Sequence, residues 1–105
     1  MIRLLLVDDH AVVREGYRRL LERRADLRIE AEAASANEAL TAFRAVQPDV
    51  VVLDLGLPDM GGVELVRRLV QRDARARILV FSMHRDPLFA SQALRAGALG
   101  YVTKS

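Results

Sequence analysis

Hydrophobic positions along the chain follow two alternating rhythms. Five short runs, Ile2 to Val7, Arg28 to Ala33, Val50 to Leu53, Ile78 to Phe81 and Gly100 to Val102, have the β-rich character of strands. Three of them are continuously apolar, as strands buried on both faces of a parallel sheet should be. The run Arg28 to Ala33 alternates instead, which predicts an edge strand. Between the runs, apolar residues recur at helical spacing. Val13, Tyr17, Leu20 and Leu21 form one stripe, Ala36, Ala39, Leu40, Phe43 and Val46 a second, and Val63, Val66, Leu69 and Val70 a third. Ser35 followed by Glu38 is a capping box at the start of the second helix, and Pro48 predicts extended backbone at Gln47 where that helix ends. Asp86 before Pro87 opens the fourth helix and Gly97 closes it.

Strand and helix in strict alternation predict right-handed crossovers and an α/β fold, a three-layer α/β/α sandwich doubly wound about a parallel five-stranded sheet. At 105 residues this is one domain, and no linker or low-complexity stretch divides it. Folds of this class carry their sites at the carboxyl ends of the strands. The residues there are Asp8 and Asp9, Asp54, Ser82 and Lys104, the last being the only lysine in the chain. Each has an ordinary explanation alone: Asp9 could cap a helix, Asp54 could open a turn, Ser82 suits any loop, and Lys104 could be solvated surface. Their convergence on one edge is harder to dismiss. Three carboxylates there repel one another by about 4 kcal/mol per unit-charge pair at 4 Å in an effective dielectric of 20, and a cation is the natural remedy. Oxygen ligands without cysteine or clustered histidine favour a hard ion, Mg²⁺ first and Mn²⁺ second. Asp54 then becomes a candidate nucleophile toward phosphorus, with Lys104 and Ser82 available to phosphoryl oxygens. His10 reads as a helix-start residue and not as a phosphorylation site.

Composition narrows the alternatives. The formal net charge is +2, and the positive charge is almost all arginine spread along helices, with few aromatics to stack on bases; this argues against nucleic-acid binding by the segment itself. The acidic Asp8-Asp9-His10 stretch stands where a nucleotide cradle would need glycines. The amino-terminal apolar run is too short for a signal peptide or a membrane span, and cysteine is absent, so a cytoplasmic location is expected.

At these residues the chain resembles the receiver domain of bacterial two-component response regulators. The resemblance is carried by Asp8-Asp9, by Asp54 followed by Leu57-Pro58-Asp59 and Gly62, by Ser82, and by Gly97-Ala98-Leu99-Gly100-Tyr101 ahead of Lys104. Val-Asp-Asp-His near the start and Ser-Met-His after the fourth strand look most like the NarL/FixJ subfamily. The resemblance implies a flavodoxin-like sheet of order 2-1-3-4-5, with Asp54 as phosphoacceptor for a sensor histidine kinase. It implies that Asp9, Asp54 and the Gly56 carbonyl ligate Mg²⁺ directly and Asp8 through water, that Lys104 and Ser82 bind the phosphoryl group, and that Ser82 and Tyr101 act as switch residues. The implied protein is a phosphoacceptor and not a metabolic enzyme. It further implies a candidate homodimer, no membrane partner, and DNA contact only through a LuxR-type output domain that these residues do not include. A receiver also has a fifth helix after the fifth strand; its sequence is not among the 105 residues, so a truncated receiver with exposed apolar surface around the first and fifth strands is expected. Two competing readings are a dehalogenase-type phosphohydrolase, whose Asp-x-Asp spacing Asp8-Asp9 breaks, and a receiver-like interaction module that works without phosphorylation.

Overall fold

The computed structural model describes residues 1–82 and 87–103. Its elements run β1 (Ile2–Val7), α1 (Ala11–Leu21), β2 (Leu27–Ala33), α2 (Ala36–Val46), β3 (Val50–Leu53), α3 (Gly62–Arg72), β4 (Ile78–Ser82), α4 (Pro87–Ala96) and β5 (Gly100–Thr103). All strand pairs are parallel, as the alternation of elements predicts, and the order is β2-β1-β3-β4-β5, the flavodoxin-like arrangement that the resemblance implies. The alternating strand β2 does lie at an edge. No described helix is long and apolar enough to cross a membrane.

The two faces of the sheet are covered unequally. Leu5 and Val7 of β1, Val51 and Leu53 of β3, and Ile78 and Val80 of β4 point to one face, as the period of two requires. There they pack against Ala36, Ala39, Leu40 and Phe43 of α2, Leu65, Val66 and Leu69 of α3, and Ala93 of α4. On the opposite face α1 lies over the sheet, with the Tyr17 ring edge-on to Phe81 at a centroid distance of 5.7 Å. No residue of α1 is fully buried, and Val13 and Leu20 of its predicted inward stripe are exposed, because the other three helices all serve the first face. Ile2 and Val102 are exposed as well, at the two strands where apolar surface was expected.

Helix ends follow local chemistry in most places. Ser35 Oγ accepts the Glu38 amide at 3.1 Å, so the predicted cap on α2 forms. Gly97 has φ +119°, a left-handed conformation suited to glycine, and a Cβ there would meet Val70 Cγ2 at 2.7 Å. The Gly97 and Ala98 amides donate to the Leu94 and Ala93 carbonyls, closing α4. Pro87 is the first residue of α4; its predicted cap Asp86 lies outside the described residues.

One local expectation fails. Gln47 is not extended but left-handed, with φ 46° and ψ 65°. The cause is tertiary: the Arg3 guanidinium donates to the Gln47 carbonyl at 2.6 Å and also to that of Val46, gathering the last carbonyls of α2 and turning the chain toward β3. The Asp49 carboxylate completes the join by accepting the Arg3 amide at 2.8 Å.

Candidate functional site

Register brings the acids together. Val7 pairs with Leu53 across the parallel β1–β3 ladder, so Asp8 and Asp54 leave neighbouring strands at the same level. The Asp54 amide donates to the Val7 carbonyl at 3.0 Å and the Asp8 amide to Ala33 at 3.0 Å, which extends the ladder one residue into the site. Ser82, fully buried, ends the next strand along. Asp8 is buried too, at 1% exposure, while Asp54 is half-buried.

The side chains of Asp8, Asp9, His10 and Asp54 offer four ligand atoms that all lie within 4.8 Å of one another. Asp9 Oδ1 is buried and accepts no hydrogen bond; His10 Nδ1 stands 2.9 Å from it, but without hydrogen-bond geometry. A buried carboxylate oxygen is costly without a donor or a cation. Together with a carboxylate-dominated donor set, this orphan atom fits a divalent ion of the Mg²⁺ or Mn²⁺ kind. Asp8, Asp9 and Asp54 would hold it, and the Gly56 carbonyl belongs to the turn just beyond Asp54.

The acidic turn is held from outside the site. Asp8 Oδ1 accepts the His10 amide at 2.9 Å, fixing the start of α1, and Arg14 Nη1 donates to the Asp8 carbonyl at 2.7 Å while its Nε reaches Glu32 at 3.2 Å. The loop after Asp54 is tied down separately. The Gly62 amide returns to the Leu55 carbonyl at 3.0 Å, and Asp59 accepts the Ala36 and Asn37 amides at 2.8 and 2.9 Å at the start of α2. Those two N–H donors hold the Asp59 carboxyl below the ordinary carboxylate range.

The sequence-predicted residues Asp8, Asp9 and Asp54 are therefore brought together, with Ser82 and Gly56 on the same edge. Tyr101, on β5 and paired in register with Val80, lies partly buried against the core. Lys104 and His84 lie outside the described residues. Sequence reasoning dismissed His10 as a helix-start residue and assumed no clustered histidine. It is the α1 N-cap, and its imidazole lies beside the acids, 3.1 Å from Asp8 Oδ1. The roles of Arg14 and Asp59 left no local signal beyond their charge.

A parallel β2-β1-β3-β4-β5 sheet with acids at the ends of two adjacent inner strands defines a flavodoxin-like domain with an acidic site, and residues 4–105 match the response regulator receiver domain family, to which the chain belongs. Among solved structures, it is 55% identical to a two-component response regulator of the LuxR family from Aurantimonas sp. SI85-9A1, with a TM-score of 0.97 over 100% of this chain and 75% of that one. It is 42% identical to the methanol utilization control regulatory protein MoxX of Paracoccus denitrificans, over 98% of this chain and 47% of that protein. Against the response regulator UvrY of Escherichia coli K12 the identity is 36%, over 99% of this chain and 48% of UvrY. The chain thus spans about half the length of the curated relatives it matches.

Proposed function

We propose that this receiver domain accepts a phosphoryl group on Asp54 from the phosphohistidine of a sensor kinase, in a reaction that needs Mg²⁺ or Mn²⁺. The observation that carries the reading is the convergence of the Asp8, Asp9 and Asp54 carboxylates, one of them with an orphaned buried oxygen, at the ends of β1 and β3. An Asp54 carboxylate oxygen attacks phosphorus as the donor's N–P bond breaks, forming an acyl phosphate and leaving the bonding pair on the donor imidazole. A divalent ion bound by the three acids would offset charge on the phosphoryl oxygens during transfer. The Ser82 hydroxyl and Lys104 bind those oxygens afterwards. Ser82 and Tyr101 then carry the change toward α4 and β5, shifting the domain toward an active state it already samples.

In the whole protein this switch controls a DNA-binding output, as the LuxR-family and regulatory relatives suggest, and operates in the cytoplasm with a homodimer as its candidate active assembly. The domain itself is a phosphoacceptor that assists its own phosphorylation and dephosphorylation. Intact-mass spectrometry after incubation with acetyl phosphate tests the first step. A single phosphoryl adduct that needs Mg²⁺ and is lost in Asp54→Asn is expected. The absence of any adduct on a folded, full-length protein would favour a phosphorylation-independent interaction module.

A further inference from the structure

We propose that Arg14 is a positioning residue for the acidic site: by gripping the Asp8 carbonyl it sets the direction of the Asp9 carboxylate, and through that the affinity for a divalent cation. The inference rests on the metal-dependent reading above and adds to it a residue outside the ligand set. Arg14 lies one turn into α1, where its amide donates to the His10 carbonyl at 2.9 Å. Its Nη1 donates to the Asp8 carbonyl at 2.7 Å and its Nε to Glu32 Oε1 at 3.2 Å. A peptide unit is planar, so the Asp8 carbonyl and the Asp9 amide turn together. Holding that oxygen therefore fixes the rotation of the whole unit, and with it the direction in which Asp9 leaves the main chain. The Asp8 amide is pinned as well, by the Ala33 carbonyl at 3.0 Å. Glu32 and Ala33, adjacent at the end of β2, thus hold both peptide groups of Asp8, one directly and one through Arg14.

The contacts separate position from charge. Among the described residues the Arg14 guanidinium is ion-paired with Glu32 and with none of Asp8, Asp9 and Asp54, and Glu32 is shared with Arg18 at 3.4 Å. Arg14 therefore orients the acids without neutralising them, and their charge is left for a cation. Its side chain is only 20% exposed, and a planar fork that spans two acceptors holds a direction that a single flexible ammonium group does not. The buried oxygen that accepts no hydrogen bond belongs to Asp9, the residue whose main chain Arg14 sets. Removing an outer residue that orients a metal ligand lowers affinity by about 10- to 100-fold, which sets the scale of the expected effect.

The test is the Kd for Mn²⁺, read without any phosphoryl donor from the electron paramagnetic resonance signal of the free ion, beside thermal unfolding of each protein. The variants are Arg14→Met, which keeps the aliphatic stem and loses the donors, Arg14→Lys, Glu32→Ala, Asp9→Asn and Gly97→Ala. Arg14→Met should raise the Kd by about tenfold or more, and Arg14→Lys, which still reaches the Asp8 carbonyl, should recover it to within about threefold of the wild type. Glu32→Ala frees one end of the fork and should raise the Kd by about threefold, which keeps the proposal testable if Arg14→Met does not fold. Gly97→Ala is destabilised where α4 ends and β5 begins, and should leave the Kd within about twofold. A Kd unchanged in both Arg14→Met and Glu32→Ala, or raised as much by Gly97→Ala as by Arg14→Met, would overturn the inference and leave the metal-dependent reading standing. Tighter binding in Arg14→Met would also overturn it, since the guanidinium would then act as a competing cation. Failure of the wild type to bind Mn²⁺, or equal binding by Asp9→Asn, would overturn both.

Discussion

Replacing Gly62 with alanine should destabilise the domain, although alanine is the better helix former. Gly62 is the first residue of α3, and a Cβ at this position would lie 2.5 Å from Leu55 Cα, 2.8 Å from Leu55 Cδ2 and 3.1 Å from the Asp54 carbonyl oxygen. The nearest of these atoms is backbone in a buried residue, so the methyl group fits only if the 54–55 segment retreats by nearly an ångström. Overpacking of this kind costs about 1–3 kcal/mol or more, and the propensity gain returns at most about 1 kcal/mol. A net loss of about 2 kcal/mol corresponds to a melting temperature lower by about 10 °C for a domain of this size. Gly16, in the middle of α1, is the internal control: a Cβ there meets nothing within 4 Å, so Gly16→Ala should raise stability by up to about 1 kcal/mol. Thermal and urea unfolding followed by circular dichroism read both signs. Because the retreating segment carries Asp54, Gly62→Ala should also bind Mn²⁺ more weakly. A Gly62→Ala variant as stable as the wild type would refute the reasoning.

Two further outcomes are expected. Asp59 has a folded pKa held below 3.8 by the Ala36 and Asn37 amides, so its contribution to stability is complete above its unfolded value and is lost as pH falls through the lower folded value. Acid titration of the unfolding free energy should therefore show a limb below about pH 3.8 that is shallower in Asp59→Ala than in the wild type. At Gly56 a Cβ would sit 3.9 Å from Asp54 Oδ2, an ordinary contact, so Gly56→Asn is accommodated and hangs a side chain over the carboxylate where water would approach. Dephosphorylation of Gly56→Asn should slow by about tenfold, a barrier change of about 1.4 kcal/mol, and an unchanged decay of the phosphorylated mass would count against it.

How much of this was legible in the sequence depends on how local the cause was. Strand limits are within a residue of the hydrophobic runs because burial on both faces writes itself as continuous apolar sequence in β1, β3 and β4. The edge position of β2 was legible in its alternation, and the Ser35 and Gly97 caps were legible because a cap depends on neighbouring residues. Gln47 was misread because its conformation is fixed by Arg3, over forty positions away, and pattern reasoning sees no such partner. The α1 stripe was found, but periodicity cannot say how fully a stripe is covered. In the site, three acids at strand ends were enough to point to a cation. That the His10 imidazole lies against the acids was not legible, because adjacency in sequence does not say in which direction the start of α1 turns a side chain. Lys104 was singled out by its place at the end of the fifth predicted strand, and it lies outside the described residues.

The loop between Asp54 and α3 is fastened at two separate places, by the amide of Gly62 on Leu55 and by Asp59 on the start of α2. A loop held this way has already given up its conformational freedom when the domain folds, so under the proposed function a phosphoryl donor would meet a preorganised acceptor at Asp54. The entropic penalty of ordering that would otherwise slow each encounter is absent from this loop. Loosening either fastening should therefore appear first in the kinetics of phosphorylation and only secondarily in the geometry of the product.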